Sequence, residues 1–335
     1  MAKKHRNLIG AICDPANLRA AYHRAARSKR MTHAYLEFKE FAEVNLAQLG
    51  EEMASGTYRP DPTRNFIIYE PKARRISAQS FRDRVAQQAL VHVIGPIFEA
   101  TLLPRTFACR PGRGTHAGVR ALQADMRRLP GPLYALKTDF SAYFHNIDRG
   151  ILHLLIRQKI SCAATLRLIT AITPRQGVGL PIGSLTSQLY ANVYAGQVDR
   201  FLQCEARQKY WYRYMDDIVV LGRDVDALHE LRLELARYSH SHLGLTFSKW
   251  SVAPVSRGVN FLGYRIWPNH KLLRRQSVVR ARRVITALRE RGATERLHAF
   301  LAAWIGHAKW ADAHNLLRSL NLENDHVADQ HPRRP

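Results

Sequence analysis

The sequence of 335 residues has few cysteines and no long apolar run. Its cysteines, Cys13, Cys109, Cys162 and Cys204, lie far apart without a C-x-x-C pair, which argues against a zinc knuckle, a redox pair or a disulfide framework. No stretch approaches the roughly 18 apolar residues that a membrane helix needs. The charged residues 1–6 are followed by no apolar signal core. We therefore expect a cytoplasmic protein without a membrane partner.

Acidic residues are scarce relative to basic ones. The chain has 51 Lys and Arg against 27 Asp and Glu, which gives a formal net charge of +24. A surplus of one sign repels itself in the compact state, so a polyanion is the natural partner. We expect that partner to be a nucleic acid; a generally basic soluble surface or a ribosome-associated protein is the alternative. A hydrophobic share of 46% is ordinary for a folded chain.

Hydrophobic periodicity predicts a mixed α and β chain. The predicted helices are residues 32–55, 82–98, 184–204, 225–240, 271–291 and 294–320. The predicted strands are residues 66–69, 75–78, 133–138, 210–214, 218–221 and 261–266. The last two helices are rich in Lys and Arg and form a small basic lobe.

Two adjacent acids, Asp216 and Asp217, lie at the predicted turn between the strands 210–214 and 218–221. Like charges at a tight turn repel each other, and a divalent cation would remove that cost. A third acid, Asp139, ends the strand 133–138, so neighbouring strands would bring it to the same edge of a sheet. Such a set suits two-metal nucleotidyl transfer. The alternatives are a solvated turn for the pair and a helix cap for Asp139.

Five motifs resemble those of reverse transcriptases and occur in that family's order. Residues 214–217, Tyr-Met-Asp-Asp between apolar strands, resemble the central catalytic motif. Residues 136–144 resemble the first-aspartate motif, and residues 176–188 resemble the motif that supports template and nucleotide. Lys249 fits a later lysine motif, and residues 260–264 fit the primer-grip hairpin. The resemblance covers nearly the whole chain.

The resemblance implies an α+β fold, the right-hand polymerase with fingers, a palm with an antiparallel sheet and a helical thumb. The expected boundaries are 1–130 for the N-terminal extension and fingers and 131–270 for the palm, with finger-side helices at about 150–175. Residues 271–322 would form the basic thumb, and residues 323–335 a frayed tail.

It also implies an RNA-directed DNA polymerase that needs two Mg²⁺ ions, for which Mn²⁺ could substitute. The expected metal-binding groups are Asp139, Asp216, Asp217 and the carbonyl of Phe140, and Asp217 would bind least directly. Lys249 would protonate the departing pyrophosphate as a general acid. A plain phosphate or surface contact is the alternative role for Lys249.

The resemblance further implies the residues that contact substrate. The expected nucleotide-contacting residues are Lys72, Arg74, Phe140, Phe144, Ile182 and Gln188. The expected primer- and template-contacting residues are Gly183, Tyr214, Met215, Phe261, Leu262 and Gly263. Phe144 matches the steric gate whose ring would clash with a 2′-hydroxyl and select deoxynucleotides; a core aromatic is the alternative. Lys72 and Arg74 match the fingertip that grips the triphosphate.

Within the superfamily, the chain is most similar to the reverse transcriptases of diversity-generating retroelements. The stretches that indicate this are Leu-Pro-Ile-Gly at 180–183, Phe-Arg-Asp-Arg at 81–84, Pro-Ile-Phe-Glu at 96–99, Gly-Thr-His at 114–116 and Trp-x-Gly-His at 304–307. Ile182 stands where many viral relatives have a glutamine that touches the incoming nucleotide. A site without that hydrogen bond rejects wrong partners less sharply.

Such an enzyme would copy a template-repeat RNA into cDNA that is mutagenised mainly opposite template adenines. Its expected partners are the template RNA, the RNA–DNA hybrid, deoxynucleotides and a small basic accessory protein oligomer. Two alternatives stay open: a defence-associated or intron-derived reverse transcriptase, and a non-catalytic RNA-binding scaffold on a polymerase fold.

Overall fold

The computed structural model describes residues 4–69 and 73–320, so Lys72 lies outside the described residues. Within these ranges the helices are α1 (Leu8–Cys13), α2 (Pro15–Ala25), α3 (His33–Glu40), α4 (Ala42–Ser55), α5 (Phe81–Glu99), α6 (Thr115–Arg128), α7 (Arg149–Arg157), α8 (Ala163–Ile172), α9 (Leu185–Arg200), α10 (Val225–Leu243), α11 (Arg275–Glu290), α12 (Thr294–Ala308) and α13 (His314–Ser319). The strands are β1 (Arg64–Ile68), β2 (Arg74–Ala78), β3 (Tyr134–Phe140), β4 (Trp211–Tyr214), β5 (Asp217–Gly222), β6 (Phe247–Pro254), β7 (Val259–Phe261), β8 (Tyr264–Ile266) and β9 (Lys271–Leu273).

A four-stranded antiparallel sheet in the order β4-β5-β3-β6 forms the palm. Side chains alternate between its two faces, as the pleat of a strand requires. Leu136 and Val220 belong to the larger core with α5 and α9, whereas Ala135 and Val219 belong to a second core with α6 and α12. Both faces of the central strands are therefore buried, which agrees with their nearly continuous apolar sequence.

Helix α5 organises the finger side by packing against α1, α2 and α9. It begins after Ser80, whose hydroxyl accepts the N–H of Asp83 at 3.1 Å, a common N-cap. The buried carboxylate of Asp83 accepts the Tyr58 hydroxyl at 2.5 Å and the N–H of Asp61 at 2.9 Å. These bonds fasten the segment before β1 to α5. Strands β1 and β2 then form the predicted basic hairpin.

The single helix predicted for residues 32–55 is wrong, because the chain breaks at Phe41 between α3 and α4. Phe41 has φ −123° and ψ 41°, outside the helical region. The side-chain amide of Asn45 donates to the carbonyl of Phe38 at 3.0 Å and so satisfies a group that a continuous helix would use itself. An asparagine in mid-pattern gave only a weak signal for this break.

Two predictions near the C-terminus are also corrected. Residues Lys271–Leu273 form strand β9, which pairs with β8, because Leu273 is buried and Leu272 is exposed in strand alternation. The helix predicted for 294–320 is interrupted after Ala308, where Trp310 turns back against α6. The helix predicted for 184–204 leaves α-helical geometry after Arg200 and continues as one π-helical turn.

The small sheet β7-β8-β9 links the palm to the helical thumb. Helices α11 and α12 pack on each other, with Ala281 and Ile285 of α11 in the same core as Leu301 and Trp304 of α12. Fingers with an antiparallel hairpin, a palm sheet and a helical thumb make up the right-hand polymerase fold predicted from the sequence. The residue boundaries of the three parts stay predictions. In the described ranges, no helix has the length and apolarity needed to cross a membrane.

Candidate active site

The tight turn between β4 and β5 presents Asp216. Tyr214 pairs with Asp217 across the hairpin, so Met215 and Asp216 are the two turn residues. Met215 has φ +54°, a left-handed conformation that a side chain of this size adopts only when its surroundings hold it. Asp139 pairs with Asp217 at the end of β3. The two strand ends thereby meet, as the sequence predicts.

The end of β3 and the β4–β5 turn bring the carboxyl groups of Asp139 and Asp216 into electrostatic contact. Burial and then the negative charge of Asp139 raise the pKa of Asp216 to about 6. Two half-buried like charges without a compensating cation cause such a shift. The donor set consists of carboxylate oxygens, the ligands that Mg²⁺ prefers, so the pair suits a divalent cation.

The third acid, Asp217, already has a cation. The Nζ of Lys137 lies 2.7 and 2.8 Å from the two carboxylate oxygens of Asp217 and donates to the carbonyl of Asn260 at 2.8 Å. Burial raises the pKa of Asp217, and the charge of Lys137 acts against that rise. Within residues 4–69 and 73–320, no group of three or more His, Cys, Asp or Glu side chains is arranged to hold a metal ion. Asp139 and Asp216 therefore form a pair, and Asp217 faces Lys137.

A buried arginine that we did not single out from the sequence holds the turn. Arg213 donates from Nη1 to the carbonyl of Met215 at 3.0 Å. Its Nε and Nη2 bind the two carboxylate oxygens of Asp199, on α9, at 2.6 and 2.7 Å. Thr106 donates to the same carboxylate at 2.6 Å, and Arg213, Asp199 and Thr106 are fully buried. A charged residue inside the apolar strand Trp-Tyr-Arg-Tyr was the available signal, because a buried charge needs a partner.

Lys249 lies on β6 directly opposite Asp139. The pairing shifts register between Asp139 and Phe140, a bulge of the kind that re-aims side chains near functional sites. Ser248 donates its hydroxyl to the carbonyl of Asp139 at 3.1 Å, which fixes β6 at this point. The structure thus brings the predicted general acid next to the paired acids, with an exposed side chain.

The glycine-rich segment before α9 supports the finger hairpin. The N–H of Ser77, on β2, donates to the carbonyl of Ile182 at 2.9 Å. Gly183 has φ +110°, and a Cβ there would lie 3.2 Å from the carbonyl oxygen of Ser77. Arg74 begins the same strand and is exposed. Ile182 and the strand that carries Arg74 are therefore neighbours.

The other predicted substrate residues lie around this segment and the palm. Phe144 is half-buried in a 3-10 turn, and its carbonyl accepts the N–H of Leu180 at 2.7 Å. Gln188 is exposed on the first turns of α9. Phe261 is buried at the end of β7, and Leu262 and Gly263 form the turn to β8. None of these predicted roles is tested by position alone, so they stay predictions.

Residues 62–266 match the family described as reverse transcriptase (RNA-dependent DNA polymerase). Among curated proteins, the protein YkfC of Escherichia coli strain K12 is 25% identical over 296 residues, which cover 73% of this chain and 75% of YkfC. The group II intron-encoded protein LtrA of Lactococcus lactis subsp. cremoris is 25% identical over 213 residues, which cover 60% of this chain and 34% of LtrA.

Among solved structures, an apo telomerase from Candida tropicalis aligns with a TM-score of 0.49 at 12% identity and covers 63% of this chain. The chain spans about half the length of that telomerase chain, 48%. The match over residues 62–266 contains both Asp139, on β3, and Asp216, on the β4–β5 turn. It confirms the predicted RNA-directed DNA polymerase, and the chain belongs to the reverse transcriptase (RNA-dependent DNA polymerase) family.

Proposed function

We propose that the chain copies RNA into DNA at the palm end formed by Asp139 and Asp216. The observation that carries this proposal is the close approach of these carboxylates, one from β3 and one from the adjoining β4–β5 turn, together with the raised pKa of Asp216. Two half-buried aspartates held side by side with their charge uncompensated favour a cation-dependent reaction. A scaffold without catalysis would gain nothing from that arrangement.

Asp139, Asp216 and the carbonyl of Phe140 would hold the Mg²⁺ ions, and Asp217 would assist. When bound, two such ions lower the pKa of an attacking 3′-hydroxyl and neutralise the charge of the pyrophosphate leaving group. The chain's own contribution is positioning, because the paired strands hold the carboxylates before substrate arrives. Lys249, opposite Asp139, would protonate the pyrophosphate.

The test is primer extension on an RNA template by the full chain and by Asp216→Asn. We expect the variant to lose cDNA synthesis and to keep its affinity for RNA, because only one carboxylate changes. Asp226→Asn is the matched control, since Asp226 is an exposed acid on α10. DNA synthesis by Asp216→Asn at the wild-type rate would contradict the assignment. RNA binding without any DNA synthesis by the wild type would favour the scaffold alternative.

The finer proposal is that this polymerase serves a diversity-generating retroelement and copies template adenines with low fidelity. The motif residues 180–183 support it, with Ile182 where a hydrogen-bonding glutamine is common. Ile182 is half-buried, and its carbonyl is bonded to the strand that carries Arg74. An apolar side chain beside the nascent pair would discriminate less between right and wrong partners than one that donates a hydrogen bond.

Sequencing of cDNA tests this finer proposal. Ile182→Gln should lower misincorporation opposite template adenines relative to other template bases. Leu233→Gln is the control, since Leu233 is an exposed apolar residue on α10. An unchanged error spectrum in Ile182→Gln would remove the role given to Ile182.

A second candidate, a group II intron type of reverse transcription, is favoured by the similarity to LtrA. The two candidates differ in the RNA that they copy. cDNA made from co-expressed flanking RNA should contain an adenine-mutagenised repeat in the first case and intron sequence in the second.

The proposed partners are template RNA, the RNA–DNA hybrid, deoxynucleotides and a small basic accessory protein oligomer. Because this chain has a net charge of +24, a second basic protein would be repelled unless RNA lies between them. We therefore expect the accessory protein to associate through the RNA, and ribonuclease treatment should release it. Association that survives this treatment would indicate a direct protein contact.

A further inference from the structure

The turn between β7 and β8 has a backbone that needs support. Leu262 has φ +52° and Gly263 has φ +91°, so both central residues of this two-residue turn are left-handed. Such turns favour asparagine or glycine at the first position, and leucine there is strained. The surroundings must therefore hold Leu262 in place.

Helix α6 supports the turn from one side. A Cβ placed on Gly118 would lie 2.8 Å from Cδ1 of Leu262 and 3.3 Å from Cγ of Phe107. Any larger residue at position 118 would have to displace the side chain of Leu262. The glycine therefore lets α6 pack directly against the side chain of Leu262.

Helix α12 of the thumb supports the turn from the other side. The Nδ1 of His307 lies 2.9 Å from the hydroxyl of Tyr264, and that hydroxyl donates to the carbonyl of His307 at 3.2 Å. Since a hydroxyl has one proton, both contacts form when Nδ1–H donates to the tyrosine oxygen. The ring of His307 also covers Gly263, where a Cβ would lie 3.6 Å from its Cε1 and Nε2.

Just beyond α12, the thumb also contacts α6 directly. The rings of His116 and Trp310 stack with centroids 3.8 Å apart and planes 17° apart. The guanidinium of Arg120, one turn further along α6, lies 5.5 Å from the centre of the Trp310 ring. We call His116, Tyr264, His307 and Trp310 the aromatic junction. It joins residues of the two motifs 114–116 and 304–307, which are far apart in the chain.

The same hairpin is connected to the catalytic end of the palm. The carbonyl of Asn260, on β7, accepts from Lys137, which pairs with Asp217. The N–H of Arg274, at the start of α11, donates to the carbonyl of Gly263 at 3.1 Å. Both main helices of the thumb therefore contact a turn whose own strand is bonded to the acidic end of the sheet.

We propose that the aromatic junction positions the primer terminus, because it couples the orientation of the thumb helices to the β7–β8 turn. This inference rests on the proposed polymerase function and adds four residues to it. They are positioning residues, since they act through the turn and the basic thumb helices. Their loss should shorten the product made in one binding event more than it slows the addition of a single nucleotide.

The experiment compares the full chain with His307→Leu, His307→Asn and His270→Leu. Asparagine keeps a hydrogen-bonding atom near the position of Nδ1, whereas leucine does not. His270, stacked on Trp267 in the connection between β8 and β9, gives a matched histidine outside the junction. Product length is measured on primed RNA with an excess of unlabelled trap, and the KM for deoxynucleotide is measured for a single addition.

We expect His307→Leu to shorten the products roughly threefold to tenfold, the range for one neutral hydrogen bond, with little change in the KM for deoxynucleotide. His307→Asn should recover most of the length, and His270→Leu should match wild type. A purely structural role would instead lower the active fraction and leave the product length unchanged. Wild-type product length in His307→Leu, or equal losses in the leucine and asparagine variants, would overturn the proposal.

A second measurement does not depend on catalysis. Hydrogen exchange of the backbone amides of residues 261–264 should become faster in His307→Leu and stay unchanged in His270→Leu, because the turn loses its support. Unchanged exchange would overturn the coupling of thumb and turn. A wild-type chain that extends no primer would overturn the proposed function. The coupling of the thumb to the turn would then be judged from the hydrogen-exchange measurement alone.

Discussion

The buried pair of Arg213 and Asp199 allows two effects to be measured separately, one on the stability of the palm and one on the position of the β4–β5 turn that carries Asp216. In Arg213→Met, the carboxylate of Asp199 stays buried and loses two of its charged hydrogen bonds. Breaking a buried ion pair from one side costs about 3–5 kcal/mol in the free energy of unfolding. That is a large part of the 5–15 kcal/mol typical of folded proteins.

The double variant Arg213→Met/Asp199→Leu removes both charges and should recover at least half of the lost stability, because apolar replacements of a buried pair are often neutral or better. It should not recover polymerase activity, since the carbonyl of Met215 still lacks its donor and the left-handed turn is unsupported. Urea unfolding gives the stabilities, and primer extension under native conditions gives the activities.

Arg223→Met is the control, because Arg223 is an exposed arginine just after β5 and should change stability by about 0.5 kcal/mol or less. A decrease of less than about 1 kcal/mol in the free energy of unfolding of Arg213→Met would refute the reasoning about burial. Full activity in the double variant would refute the reasoning about the turn.

Three further predictions concern other sites. Lys137→Met removes the positive charge that counteracts the effect of burial on Asp217, so the pKa of Asp217 should rise further. The acid limb of the pH profile of primer extension should then move to higher pH. An unmoved limb would show that Asp217 does not need to be charged. Gly183→Ala, at φ +110°, should push β2 away and raise the KM for deoxynucleotide without weakening binding of primer and template, and an unchanged KM would contradict the contact. Burial acts to raise the pKa of Cys162, but backbone N–H groups in the first turns of α8 and α1 outweigh it and lower the pKa to about 7, so alkylation of Cys162 should be half-maximal near pH 7. Burial raises the pKa of Cys109, so Cys109 should react only at more alkaline pH, and equal pH profiles for the two thiols would contradict this prediction.

Local pattern was sufficient for the palm hairpin. Two mostly apolar, β-prone runs lie on both sides of residues 215–217, so the sequence predicts the hairpin, although Asp217 begins β5 and only Met215 and Asp216 form the turn. The approach of Asp139 to Asp216 could also be predicted, because Asp139 ends an apolar strand and neighbouring strands of one sheet share an edge. Helix breaks were harder, since the Asn45 amide that ends α3 acts through a bond that propensity does not reveal.

Long-range partners could not be predicted from the sequence. Nothing near Arg213 in the chain indicates that Asp199 and Thr106 would surround it, because the three residues meet only when α9 packs under β4. The same holds for Lys137, which the sequence shows only as one basic residue in an apolar strand. Its contact with Asp217 depends on strand pairing, and its contact with Asn260 depends on the docked hairpin.

The strand order of the palm has a consequence for biosynthesis. Strand β3, which carries Asp139, lies between β5 and β6, yet α7, α8 and α9 are synthesised before β5 and α10 before β6. During synthesis on the ribosome, both hydrogen-bonding edges of β3 therefore stay unpaired until most of the protein has been translated. Unpaired edges invite aggregation, and late non-local pairing slows folding, so production of this chain should benefit from chaperones and slow translation.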